Sequence, residues 1–287
     1  MKKKLSTWMM CFIVVFAMLP VTVHADTGPK PSVRITFENM GDEVCYGTLL
    51  SKTDSTGPAS AWDGNPEHIY NYGLDMDIWQ AFVDYKDADG YYFLQEGWLC
   101  SENKELNWTY YPPSSFKILL YYPEQDTYTV SEICERYAFD SYFRVTMDGL
   151  EIKSVDDNVY DFTWELVSLA CRVVITIALE LAVAWLFGLR QKKLITSILG
   201  VNVITQIVLN VVLNIINYNR GAYMFVFCYV LLEILVFIVE AVAYVALFRR
   251  NSEKRISNER TVVYALVANI VSFVGGMVIA QWIPGIF

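Results

Sequence analysis

The chain has 287 residues, 54% hydrophobic and 15% aromatic, with a mean hydropathy of +0.31. That is too apolar for an ordinary soluble domain of this size and fits a membrane protein with a folded polar part. The net charge of −9 is concentrated in residues 26–160, where 24 acidic residues face 9 basic ones; this argues against nucleic acid and anionic lipid headgroups as ligands and leaves cations, basic peptides and partner proteins.

In chain order, MKKKLSTWMMCFIVVFAMLPVTVHA reads as a signal peptide over residues 1–25. Lys2, Lys3 and Lys4 form its charged start, residues 9–19 its apolar core, and Val23-His24-Ala25 a small-residue cleavage site. The rival reading, an uncleaved first membrane helix, is short for a span and interrupted by Pro20.

Residues 26–160 read as an acidic, β-rich, sandwich-like extracytoplasmic domain. In SVRITFE, Val33, Ile35 and Phe37 alternate with Arg34, Thr36 and Glu38, the pattern of a half-buried strand. Further strands are expected at 44–50, 90–99, 106–111, 116–122 and 141–147. Short helices are expected at 76–85 and 130–139, where apolar residues recur at three- and four-residue steps. Cys45, Cys100 and Cys134 allow one disulfide and a spare thiol in any of three pairings, or three free thiols. Asp87, Asp89 and Glu96 resemble part of a calcium loop, although Tyr85 holds the first ligand position and a hairpin turn is the competing reading. Asn107-Trp108-Thr109 satisfies the glycosylation pattern. His68, the only histidine beyond the signal peptide, excludes most zinc sites and histidine triads by residue supply. The aromatic runs at 91–93, 110–111 and 121–122 either stack a sugar or peptide or serve as strand packing.

Residues 161–287 read as an all-α, four-helix transmembrane domain with spans at about 162–188, 194–216, 223–248 and 262–283, each near or above the ~20 residues a bilayer requires. Residues 189–193 and 249–261 are basic and are placed in the cytoplasm by the positive-inside rule. The acidic domain and the C-terminus then lie outside. Trp164, Tyr218, Tyr223 and Trp282 fall at the outer ends of the spans and Trp185 near an inner end, as interfacial anchors do. No glycine-rich nucleotide loop occurs.

Counting along each span from its basic end puts Glu180, Asn202, Glu240 and Asn269 at one depth, about 13–15 Å in at 1.5 Å per residue. Arg172, Asn210 and Glu233 form a second layer about 24–27 Å in, with Thr176 and Gln206 between the two. Asn202, Gln206, Asn210 and Asn214 repeat every fourth residue as one polar stripe. Such matches imply polar faces converging away from lipid. In the upper layer an Arg172–Glu233 ion pair with Asn210 beside it is expected. In the lower layer two carboxylates share a dry site with two amides, so one carries a proton or the pair holds a cation. Interhelical packing through hydrogen bonds is the competing reading, and Gly275-Gly276 also reads as close packing.

The segments DTGPKPSVRITF, STGPASAWDG, ITQIVLNVVLNIIN and LLEILVFIVEAVAY resemble an uncharacterised group of bacterial proteins. The resemblance implies a signal peptide, an exported domain and four membrane helices; it implies no activity, ligand or catalytic residue.

The expectation that follows is a non-enzymatic membrane protein without cofactor, an accessory or sensor component whose exported domain binds a ligand or partner. A cation- or proton-coupled transport component using the Glu180/Glu240 layer is the alternative. An enzyme ranks last, since no Ser-His, Cys-His or metal-ligand constellation is present. The partners implied are membrane lipid and another membrane or exported protein, with oligomerisation open.

Overall fold

The computed structural model describes residues 29–71, 73–157, 159–160, 162–252 and 256–282; the expected signal peptide lies outside them, as do part of the second basic loop and the last five residues. It contains a β-rich region built on two sheets, followed by helices, three of which are long and apolar enough to cross a membrane.

The first sheet runs β10 (Glu151–Asp157), β9 (Asp140–Asp148), β1 (Ser32–Glu38), β5 (Glu105–Trp108). β1 pairs with β9 in parallel, from Ser32 opposite Asp140 to Glu38 opposite Thr146, and with β5 antiparallel. The second sheet runs β3 (Tyr92–Phe93), β2 (Tyr46–Ser51), β6 (Ser115–Tyr122), β7 (Thr127–Val130), with β4 (Trp98–Leu99) also on β2 and β8 (Cys134–Glu135) also on β6. The alternation in β1 turns Val33, Ile35 and Phe37 inward, where they meet Leu49, Ile118 and Leu120 of the second sheet in one shared core. β6 is buried on both faces. Its outer face carries Leu119 and Tyr121 against Ile78, Trp79 and Phe82 of helix α1 (Met76–Asp84). The run FKILLYY, apolar except for Lys117, suits a strand covered on both sides.

Two expectations change here. Residues 90–99 form two short strands, because Gln95 takes a positive φ of 64° and its side chain turns to accept from the Tyr70 N–H and donate to the Ser60 carbonyl. The expected helix over 130–139 is an edge strand, β8, within coil. There Ser131 and Ser141 replace helical bonding, accepting from the N–H groups of Ile118, Tyr137 and Ala138. Cys45, Cys100 and Cys134 are buried free thiols, and burial pushes Cys45 up to about 12.

Helix α2 (Thr163–Leu186) ends at Gly188, whose φ of 70° suits glycine; the Leu189 N–H closes on the Ala184 carbonyl. Helix α3 (Lys192–Asn251) is two helical arms joined at Gly221, the one residue with non-helical backbone (φ 78°, ψ 176°). Residues 217–220, expected as a loop, are therefore helical. Contacts between the arms step outward on both sides of Gly221, from Leu209 and Leu213 with Val236 to Asn251 with Ser197, so the arms run antiparallel. Helix α4 is Asn258–Trp282. A core of Val183, Ile198, Tyr244, Phe248, Tyr264 and Ala268 joins all three helices. Gly275 lets α4 approach α2 so closely that a Cβ there would meet Leu179 at 2.7 Å. Val174, Ile204, Val226, Val242 and Met277 point outward, an apolar exterior suited to lipid.

Candidate functional site

The four residues of the lower polar layer come together in the helical interior: Glu180, Asn202, Glu240 and Asn269 are all buried, with Asn202 and Glu240 at 0% exposure. Asn202 Nδ2 donates to Glu180 Oε2 at 2.7 Å, to the Tyr244 hydroxyl at 2.7 Å and to the Ile198 carbonyl at 3.1 Å, sharing two hydrogens among three acceptors. The Tyr244 hydroxyl in turn donates to Glu180 Oε2 at 3.5 Å. Glu240 is held from two helices: Thr205 Oγ1 donates to Oε1 at 2.6 Å and Asn269 Nδ2 to Oε2 at 2.8 Å. Asn202 Oδ1 is buried without a hydrogen-bond partner among the described residues. None of the described ion pairs involves Glu180 or Glu240.

Thr205, Tyr244 and Tyr264 are additional members that depth counting missed; the Tyr264 hydroxyl reaches the Glu180 carbonyl at 3.5 Å. Two had a signal. Thr205 lies three residues after Asn202 and Tyr244 four after Glu240, on the same helix faces. Tyrosine, however, ranks with apolar residues in a hydropathy scan.

In the upper layer, Arg172 Nη1 donates to Asn210 Oδ1 at 3.0 Å, and its Nε and Nη2 donate to Ser168 one turn earlier. Asn210 turns its own amide back to the Gln206 carbonyl. Glu233 lies on the second arm of α3, one turn after Tyr229. At the basic end, Arg190 lies 4.3 Å from the Trp185 ring, Arg249 donates to Asn258 and Arg260 donates to the Phe187 carbonyl at the end of α2. Cations there suit the negative end of a helix.

The calcium-loop fragment is a different object. Lys117 Nζ donates to Asp87 Oδ1 at 2.9 Å and to Asp89 Oδ2 at 2.5 Å, so an ammonium group stands where a metal would. Burial alone would raise Asp87, but Lys117 and the N–H groups of Tyr91 and Asp89 hold its carboxyl below the ordinary range. Glu96 is buried apart from this cluster, and desolvation lifts it to about 7. Among the described residues no group of three His, Cys, Asp or Glu is placed to hold a metal ion. The aromatic runs divide between roles: Phe93, Tyr121 and Tyr122 are core, Tyr92 and Tyr111 exposed, and Lys30 lies over the Tyr110 and Tyr111 rings.

The β-rich region docks on the helices at Gly221. The Phe139 N–H donates to the Tyr218 carbonyl at 2.9 Å, the Tyr137 and Tyr218 rings lie 6.4 Å apart, and a Cβ added to Gly221 would lie 2.4 Å from the Phe139 ring. Glycine is thus required twice, by its φ and by the ring pressed on it.

Comparison with protein-family models, curated proteins and solved structures finds no match for this chain.

Proposed function

We propose that the chain is a four-span membrane protein, the two arms of α3 counting as separate spans, with its β-rich domain and C-terminus outside the cell and residues 189–193 and 249–261 in the cytoplasm. The charge asymmetry of the connections supports this orientation. Its function is non-enzymatic: the domain binds a ligand or partner, and the helices anchor it and receive the binding signal, as an accessory or sensor component does.

One observation carries this reading, the seating of Phe139 on Gly221 at the apex between two arms that also hold the buried polar cluster. A shift of the 136–140 loop therefore bears on the arms directly. The test is hydrogen exchange on the full-length protein in nanodiscs. In Gly221→Val, residues 136–142 lose about tenfold or more of their protection while the sheets keep theirs. Unchanged exchange in that segment would refute the coupling.

A second reading, cation- or proton-coupled transport, is favoured by Asn202 Oδ1. An acceptor buried without a partner beside two carboxylates suits a cation, or a proton on Glu180 that would let the amide turn over. Sodium and proton flux into proteoliposomes separates the readings. Flux lost in both Glu180→Gln and Glu240→Gln selects transport; no flux from folded protein selects anchoring.

A further inference from the structure

We propose that the cleft where the β-rich region meets the helices binds a small ammonium group. This gives the ligand class for the sensor reading above and rests on that reading only for what binding transmits.

The cleft has a volume of about 260 Å³. That is below the ~300–1,000 Å³ of drug-sized pockets, so its occupant is a small head group. Its walls are aromatic: Tyr142 from β9, Tyr160 and Phe162 from the segment leading into α2, and Tyr137 and Tyr218 from the junction. The Tyr142 and Tyr160 ring centroids are 4.8 Å apart, and those of Tyr160 and Phe162 are 4.9 Å apart with planes at 80°. Aromatic rings gathered around one space suit a cation, because the face of each ring attracts quaternary and alkylated ammonium ions through its quadrupole.

The charges point the same way. Asp140 and Glu165 line the cleft, and no Lys or Arg does. The Tyr160 hydroxyl donates to Glu165 Oε1, whereas Glu165 Oε2 is buried without a hydrogen-bond partner among the described residues. Leaving a carboxylate oxygen buried and unpartnered is costly unless a donor or cation joins it. Asp140 receives the Ser32 hydroxyl on Oδ1 at 2.5 Å. Arg34 already lies over the Tyr142 ring at 5.7 Å, so the site is centred on Tyr160 and Glu165. An anionic ligand would meet two carboxylates and no Lys or Arg in the lining, and a neutral sugar would bring no charge to Glu165.

An ammonium group can arrive free or on a lipid headgroup; the chemistry is the same and the test separates the sources. Equilibrium binding of radiolabelled choline is measured on the full-length protein in nanodiscs of phosphatidylglycerol, which has no ammonium group. Choline binds saturably, and its uncharged carbon isostere binds at least about tenfold more weakly. Glu165→Gln and Tyr160→Leu each weaken binding about tenfold or more, while Tyr160→Phe, which keeps the ring, binds choline nearly as the parent does. Adding phosphatidylethanolamine to the discs abolishes choline binding if the headgroup is the occupant and leaves it intact if a free amine is. The proposal is overturned if neither choline nor methylammonium binds folded protein, if the isostere binds equally, or if both Glu165→Gln and Tyr160→Leu bind normally. Choline binding that leaves exchange at residues 214–221 unchanged keeps the site and refutes the relay.

Discussion

Glu96 hangs from the buried turn between β3 and β4, where Thr48 donates to its backbone carbonyl at 2.5 Å, and burial alone moves its carboxyl from 4.5 to about 7. Below pH 4.5 both folded and unfolded chains hold this proton and it costs nothing. Between 4.5 and about 7 the unfolded chain gives it up first, so the β-rich region loses stability as pH rises, by about 2–3 kcal/mol in all. Glu96→Gln removes that slope, and the domain's thermal midpoint at pH 8 rises by several degrees while that at pH 4.5 stays put. Lys117 carries the opposite lesson. Its partner Asp87 has a side chain only 1% exposed, whereas that of Asp89 is 62% exposed. Lys117→Met therefore costs about 3 kcal/mol or more by stranding a buried carboxylate, and Asp89→Asn costs under about 1 kcal/mol, as chemical denaturation will measure.

Among the elements, the strands with alternating or nearly continuous apolar runs, β1, β6 and β9, were legible because burial itself writes those patterns. β7 and β10 were not. β10 reads EIKSVDD, with no inward residue below the burial of a half-covered edge, and it is ordered by pairing to β9 rather than by its own apolar face. The segment 130–139 misled because its three- and four-residue spacing is a helical signal, while Ser131 and Ser141 satisfied the backbone another way. Counting by helix rise, which the surroundings do not alter, grouped Glu180, Asn202, Glu240 and Asn269, and hydrogen bonds join Asn202 to Glu180 and Asn269 to Glu240. What it could not supply was Tyr264, which a different helix face brings to the Glu180 backbone. The hydrogen bonds from Asn202, Thr205 and Asn269 join three helices, at about 1 kcal/mol for each such bond in a membrane. Asn269→Ala therefore loosens α4 by about that amount and lowers the thermal midpoint in detergent, while Asn219→Ala, which removes only a bond to the Ile215 carbonyl within its own arm, leaves it unchanged.

At the scale of the molecule, the core between the sheets and the core among the helices share no residue, and the two regions meet through a small aromatic junction. The junction itself was invisible in the sequence, since the proximity of Phe139 and Gly221 is a product of the complete fold. The parallel pairing of β1 with β9 bears on how the protein is made. β1 finds its longest partner only when Asp140–Asp148 has been synthesised, with α2 beginning at Thr163 close behind. The first sheet therefore cannot close until synthesis is about to deliver α2, a helix long and apolar enough to cross a membrane, so closure of the β-rich region and emergence of that helix fall in the same interval.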